Sequence, residues 1–208
     1  MEESLKTGTT TVGIVCKDAL ILAADKRATA GHFIADKKVK KVIPINNKIA
    51  ITTAGTVSDI QLLVKLLKAE LKLKEIRTGR ENTLKEVANL LAGYMYGNIR
   101  NFSVIPGITH FILAGADTDL HLFDLYPDGA VSEIDDFVSS GSGSVFVYGV
   151  LESEYKPGLT EQEGVELAIK CINTAMQRDS ASGNGINVVV ITKDGVREVL
   201  EKIVETKL

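Results

Sequence analysis

The sequence predicts an α+β protein in which strands form antiparallel hairpins and helices come in pairs. Two observations carry this. Hydrophobic periodicity runs strands, two helices, strands, two helices, strands, which is not the single-strand, single-helix alternation that winds a parallel sheet. Two Thr-x-x-Glu capping boxes, Thr83 to Glu86 and Thr160 to Glu163, mark where the second helix of each pair begins. The 208 residues fit one domain, and no internal repeat, linker or low-complexity segment interrupts them.

Met1 to Gly8 is mostly polar or charged and without pattern, after which a β-rich segment begins abruptly at Thr9. Thr10 to Cys16 reads as a strand, Lys17-Asp18 as a turn, and Ala19 to Asp25, apolar along its length, as a second strand covered on both faces. Asp25 closes that strand; the ordinary reading of such an acid is a solvated strand end. In the basic run Lys37 to Ile43, strand alternation puts Val39, Lys41 and Ile43 on one face. A lysine flanked by aliphatic residues is a candidate for partial burial and then needs a carboxylate, for which Asp25 is available. Lys48 to Ala54 is a strand broken by Gly55, and from Val57 a helix follows with Ile60, Leu63, Val64, Leu67 and Leu71 on its inner face, ending at Thr78-Gly79.

The second helix carries Val87, Leu90, Leu91 and Tyr94 as its stripe. Ile108 to Ala116 and Leu120 to Leu125 form a hairpin through Asp117-Thr118-Asp119, with a further turn at Pro127-Asp128-Gly129. Ser139 to Ser144 reads either as a flexible loop or as a close-packed corner of small residues before a helix over Val145 to Leu151. The helix capped at Thr160 turns Val165, Ala168, Ile169, Ile172 and Met176 inward. Gly185 to Thr192 is a strongly apolar strand, and Asp194-Gly195 returns the chain into Val196 to Leu200 before a charged, mobile terminus.

Composition excludes several classes. A net charge of -3 gives no global field for nucleic acid or anionic membrane, and no apolar run approaches a membrane span or signal peptide. Cys16 and Cys171 lie far apart with no His-Cys cluster near them, so neither a zinc site nor a disulfide framework is indicated and a reducing, cytoplasmic setting is the default. His32, His110 and His121 stand in no Ser-His-Asp context.

The chemistry-bearing stretch is Thr7 to Ile14. Cutting the chain after Gly8 would give Thr9 a free α-amine beside its own hydroxyl, a pairing of base and nucleophile on one residue. On this stretch alone the ordinary reading, three threonines opening a strand, is the stronger.

Taken together, several separated pieces resemble one family. They are Thr7-Gly8-Thr9-Thr10-Thr11-Val12-Gly13, Ala24-Asp25-Lys26-Arg27-Ala28-Thr29, Lys40-Lys41, Ala54-Gly55, Gly141-Ser142-Gly143-Ser144, Tyr148-Gly149-Val150-Leu151-Glu152 and Arg178-Asp179-Ser180-Ala181-Ser182-Gly183. In this order they resemble catalytic β subunits of proteasomes of the archaeal type, within the N-terminal nucleophile hydrolases. The resemblance implies a four-layer αββα sandwich of two antiparallel sheets flanked by helix pairs. It implies that residues 1–8 are a propeptide removed by self-cleavage between Gly8 and Thr9, leaving residues 9–208 as a single domain. Carried over residue by residue, it makes Thr9 the nucleophile, its α-amine the general base, Asp25 and Lys41 the charged pair beside it, and Ser142, Asp179 and Ser182 the polar shell around the amine. Gly55 matches the oxyanion-holding amide, and Ala28, Thr29, Val39, Ile43, Thr53 and Val57 match positions that bind substrate or line its pocket. No metal or organic cofactor is implied. The implied partners are proteasome α subunits, further β subunits in a seven-membered ring (two β rings between two α rings), and an ATPase that feeds unfolded protein.

Three other readings compete. A non-catalytic scaffold subunit of the same ring would lack the threonine or its junction, whereas Gly8, Thr9, Asp25 and Lys41 are all present. A phosphate-binding loop at Gly141 to Gly143 lacks the trailing lysine of a P-loop. The bacterial two-ring ATP-dependent protease shares an N-terminal threonine but matches the Arg178 to Gly183 motif and the chain length less well. Thr53, where the family often carries an aliphatic residue, methionine or arginine, leaves the pocket mostly aliphatic with one hydroxyl at its base. The expected preference is for cutting after apolar residues.

Overall fold

The structure, a computed structural model, describes residues 8–104 and 106–204. Most of the expected propeptide, residues 1–7, and the last residues of the expected mobile terminus, 205–208, lie outside the described residues; residues 201–203, expected to be mobile, instead continue a strand, Gly195–Ile203, paired along its length.

Two five-stranded antiparallel sheets pack face to face. The first runs β10-β1-β2-β11-β12 and the second β5-β6-β7-β8-β9. In the first, β1 is Thr10–Val15, β2 Leu20–Asp25, β10 Phe137–Gly141, β11 Gly185–Thr192 and β12 Gly195–Ile203. In the second, β5 is Val42–Pro44, β6 Ile49–Gly55, β7 Thr109–Ala116, β8 Leu120–Leu125 and β9 Val131–Ile134. A small hairpin, β3 (Ala28–Ala30) with β4 (Phe33–Asp36), stands apart. Helices α1 (Val57–Thr78) and α2 (Leu84–Arg100) cover the second sheet; α3 (Ser144–Glu154) and α4 (Glu161–Arg178) cover the first.

The period-2 alternation of β2 shows how one strand serves two cores. Leu20, Leu22 and Ala24 enter the inter-sheet core with Val42, Ala50, Ile112, Leu122 and Val189. Ile21 and Ala23 face the other way, into the core beneath α3 and α4 with Val12, Ile14, Leu167 and Ile172. Each such side chain is worth about 1.5–3 kcal/mol when removed from water. The third core joins Ile49, Ile51, Phe111 and Leu113 to the inner face of α1 and α2, including all five residues expected from the α1 periodicity. The four-layer αββα sandwich is thus present.

Both capping boxes form: the Thr83 and Thr160 hydroxyls accept from the Glu86 and Glu163 amides, and the glutamates return the bond. Cys16 and Cys171 are free and buried in the same core; burial pushes their thiols up to about 11 and about 12.

Two local expectations are corrected. Ser139 to Gly141 is not a flexible loop but the end of β10, registered as Thr10 against Gly141 and Thr11 against Ser140, and the close-packed corner of small residues is confined to Gly141 to Gly143, where a Cβ added to either glycine would strike Thr9 or Thr10. Serine and glycine have little strand preference of their own, and the pairing with β1 imposes the conformation. The run from Val39 to Ile43 is not one strand either. Only Val42–Pro44 joins a sheet, while the approach to it is held by bonds from the Val39 amide to the Lys26 carbonyl (3.1 Å) and from the Thr53 amide to the Lys41 carbonyl (2.9 Å).

Candidate active site

Asp25 ends β2 in phase with Ile21 and Ala23, yet it is fully buried and fourfold bonded, not a solvated strand end. One carboxylate oxygen takes the Lys41 ammonium (2.7 Å) and the Thr10 amide (2.9 Å); the other takes the amides of Arg27 (3.0 Å) and Gly183 (2.9 Å). Lys41 is 4% exposed, so this is a desolvated ion pair. Burial pulls the Lys41 ammonium below its ordinary value, and the Asp25 carboxylate opposes that pull. The three amides matter because a buried carboxylate needs its remaining lone pairs satisfied.

The Lys41 ammonium also lies 3.4 Å from the Gly8 carbonyl oxygen. The Thr9 hydroxyl meets that same oxygen at 2.6 Å, and the Gly8 amide donates to the Thr29 hydroxyl at 2.8 Å. The carbonyl of the peptide unit joining Gly8 to Thr9 therefore carries a hydroxyl and a cation, while Thr29 holds the amide of the unit before it. Gly8 has a packing reason to be glycine: a Cβ there would come 1.8 Å from the Ala181 Cβ.

On the nitrogen side, the Thr9 amide donates to the Ser142 hydroxyl (3.2 Å), which donates to Asp179 (2.6 Å). Ser182 donates to the same Asp179 oxygen (2.6 Å), and the Ala181 amide bonds the other (3.1 Å). Asp179 is the C-cap of α4 and Ser142 leads into α3, so the two helices over the first sheet deliver this shell. Gly141, at φ 92°, is glycine by necessity, since a Cβ would meet the Thr9 carbonyl oxygen at 2.1 Å.

Of the residues singled out in the sequence, Gly8, Thr9, Asp25, Thr29, Lys41, Ser142, Asp179 and Ser182 form one bonded cluster. Gly55 ends β6 opposite Thr109 with φ 117°; a Cβ there would strike the Ile108 carbonyl oxygen at 2.1 Å, so the close strand crossing demands glycine. The expected pocket residues are more scattered. Thr53 lies in phase with Ile49 and Ile51, and its hydroxyl is turned to the Lys41 carbonyl (3.3 Å). Ile43 packs against the α1–α2 core, Val57 is exposed at the start of α1, and Ala28 and Val39 are half-buried. Among the six, Thr29 alone bonds the Gly8–Thr9 junction. His110 pairs with Asp124 and His121 with Glu133, each at 2.6 Å.

Sequence reading missed Thr10, Arg27 and Gly183 as partners of Asp25, and Thr10 as a neighbour of Ser182. Backbone amides leave no mark in the sequence, whereas Thr10 could have been found from its alternation with Val12, which places both toward α4. Lys26 was also missed: it is 1% exposed and paired with Glu201 at 2.5 Å.

The model of the proteasome subunit family matches residues 5–191 of this chain. The chain belongs to that family. It is 45% identical over 208 residues to the proteasome subunit beta of Archaeoglobus profundus, covering 99% of this chain and 94% of that one. The proteasome subunit beta of Methanocaldococcus fervens is 46% identical over 202 residues (94% and 88% covered), and that of Methanocaldococcus jannaschii 44% over 205 residues (96% and 90%). The family match begins just ahead of the Gly8–Thr9 junction and spans every residue of the bonded cluster. No helix among the described residues is long and apolar enough to cross a membrane, and no group of His, Cys, Asp or Glu among them could hold a metal ion.

Proposed function

We propose that this chain is the catalytic β subunit of a proteasome core particle, a threonine endopeptidase that matures by cutting its own Gly8–Thr9 bond. The observation that carries this reading is the Gly8 carbonyl oxygen, flanked by the Thr9 hydroxyl at 2.6 Å and the Lys41 ammonium at 3.4 Å. The similarity to archaeal proteasome β subunits supports it.

In maturation the Thr9 hydroxyl oxygen attacks the Gly8 carbonyl carbon. Negative charge then grows on the Gly8 oxygen, which faces the Lys41 ammonium held by Asp25. Collapse breaks the Gly8–Thr9 bond, the nitrogen leaves with a proton, and residues 1–8 remain as an ester on Thr9. Water hydrolyses the ester, freeing a carboxylic acid and a threonine with its own α-amine.

In turnover the amine, with a reference pKa of about 7.7–8.0, takes the hydroxyl proton as the oxygen attacks a substrate carbonyl. The amine then gives that proton to the departing nitrogen, and water clears the acyl ester. Lys41 stabilises charge near the attacking oxygen, and the Gly55 amide receives the developing oxyanion. Neither step calls for a metal or organic cofactor. Thr29, which bonds the Gly8 amide, holds a substrate backbone in the same way. Unfolded chains reach the site inside a cytoplasmic particle of two seven-membered β rings between α rings, fed by an ATPase.

The test is intact mass and amino-terminal sequencing of assembled protein. The unsubstituted chain should begin at Thr9 and cut fluorogenic peptides; Thr9→Ala should keep residues 1–8 and lose all hydrolysis. A mature terminus elsewhere, or activity in Thr9→Ala, overturns the reading. An unprocessed, inactive unsubstituted chain in fully assembled rings would mark a scaffold subunit.

A further inference from the structure

We infer that Thr10 is a positioning residue of the proposed hydrolase: its hydroxyl heads a one-directional hydrogen-bond chain that leaves the lone pair of the Thr9 amine free to act as base. The inference rests on the reading of Thr9 given above.

The direction of the chain follows from counting hydrogens. Ser182 and Ser142 each carry one hydroxyl hydrogen, and each lies 2.6 Å from the same oxygen of Asp179. A carboxylate can only accept, so both serines donate to it. Ser142 has a second possible acceptor, the Thr9 carbonyl at 3.3 Å, but the shorter, charge-assisted bond takes the hydrogen. With its hydrogen committed, Ser182 must accept in its 2.6 Å contact with Thr10, so the Thr10 hydroxyl is the donor. By the same count Ser142 can only accept from the Thr9 nitrogen, 3.2 Å away. The order is therefore Thr10 to Ser182 to Asp179, met from the other side by Thr9 nitrogen to Ser142 to Asp179.

The consequence falls on the base. Once Thr9 carries a free amine, Ser142 takes one of its N–H groups and offers no hydrogen to its lone pair, which stays directed to the Thr9 hydroxyl proton. Without the Thr10 donor, Ser182 has a vacant acceptor site in a buried position and is free to turn, which loosens the acid that fixes Ser142.

Independent packing supports the assignment. Thr10 is wholly buried, and Gly143 is shaped around its hydroxyl: a Cβ on Gly143 would stand 2.0 Å from the Thr10 oxygen. The Thr10 amide separately serves Asp25, so a side-chain change leaves that bond in place.

The experiment compares Thr10→Val, isosteric but without the hydroxyl, with Thr10→Ser, which keeps it. Self-cleavage uses no α-amine, so maturation and turnover separate the proposed role from a structural one. In correctly assembled rings Thr10→Val should still mature at Thr9 at a near-normal rate, while kcat on a fluorogenic peptide falls about three- to tenfold with KM unchanged. Thr10→Ser should restore kcat. If Thr10→Val fails to assemble, Thr10→Ala against Thr10→Ser reads the same difference, since both lack the methyl. Unchanged kcat in Thr10→Val, or maturation slowed as much as turnover, overturns the inference. Loss of the proteolytic reading would show differently, as an unsubstituted protein whose hydrolysis does not depend on Thr9.

Discussion

At the scale of single residues, Asp25 and Lys41 are unequal partners in their ion pair. Lys41 has two contacts at the site, Asp25 and the Gly8 carbonyl, and removing it leaves Asp25 with three amide donors. Asp25 meets only donors, two on each oxygen, so in Asp25→Asn the new NH2 must face a pair of them whichever way the amide is turned. It also strips a buried ammonium of its counter-charge, which costs about 3–5 kcal/mol. Lys41→Ala should therefore fold with a nearly native melting temperature but lose about a hundredfold or more in peptide turnover, as loss of one charge-stabilising donor does. Asp25→Asn should lose both turnover and several degrees of thermal stability. Calorimetry beside a peptide assay checks the split; equal melting temperatures would show that the amides alone do not hold the carboxylate. The pairing of Lys41 with Asp25 was anticipated, but from a strand alternation over Val39, Lys41 and Ile43 that the structure does not contain, and the amides around Asp25 were not legible, because a backbone donor is the same whatever residue carries it.

At the scale of elements, the loop between α4 and β11 touches both sides of the candidate site. Gly183 serves Asp25, Asp179 and Ser182 form the polar shell, and Ala181 packs where a side chain on residue 8 would have to go. Gly8→Ala should slow maturation sharply through that collision. Adding Ala181→Gly removes the nearest atom but leaves the residue-181 backbone within 2.9 Å, so the double substitution should recover part of the rate and not all of it. The check is a time course of amino-terminal processing for the single and double variants; no recovery would mean that the requirement for glycine lies in the attack itself. Long periodic elements were readable because burial follows spacing: α1, α2 and α4 begin and pack as their stripes and caps indicate. Strand β10 was not, because its Ser-Ser-Gly end is strand only through its register with β1. The pocket was legible only in part, since Thr29 and Thr53 are tied by hydroxyl bonds that their position in the sequence does not announce.

At the scale of the whole molecule, the expected substrate wall is spread over several elements: Ile43 and Thr53 on β5 and β6 of the second sheet, Val57 at the start of α1, Ala28 and Thr29 on the small hairpin, and Val39 in the segment before β5. Thr53 spends its hydroxyl on the Lys41 carbonyl, so no polar partner at the base competes for a charged side chain. Burying an apolar side chain in such a wall is worth about 1.5–3 kcal/mol, and an unpartnered charge costs more than that. Peptides differing only before the scissile bond should be cut fastest after Leu, Tyr or Phe, and Thr53→Arg should move the preference toward Asp and Glu. Fastest cleavage by the unsubstituted protein after an acidic or basic residue would refute this pocket. The convergence on Asp25 has a consequence in time as well as in space. Its donors come from residues 10, 27, 41 and 183, and β2, which ends on Asp25, lies between β1 and β11, drawn from opposite ends of the chain. A chain still emerging from the ribosome exposes Thr9 early but lacks the last of the residues that enclose the acid until Gly183, 158 residues beyond Asp25, has been made. If Thr9 is the nucleophile proposed above, the blade is forged first and sharpened last, and sequence separation itself would hold back premature cutting.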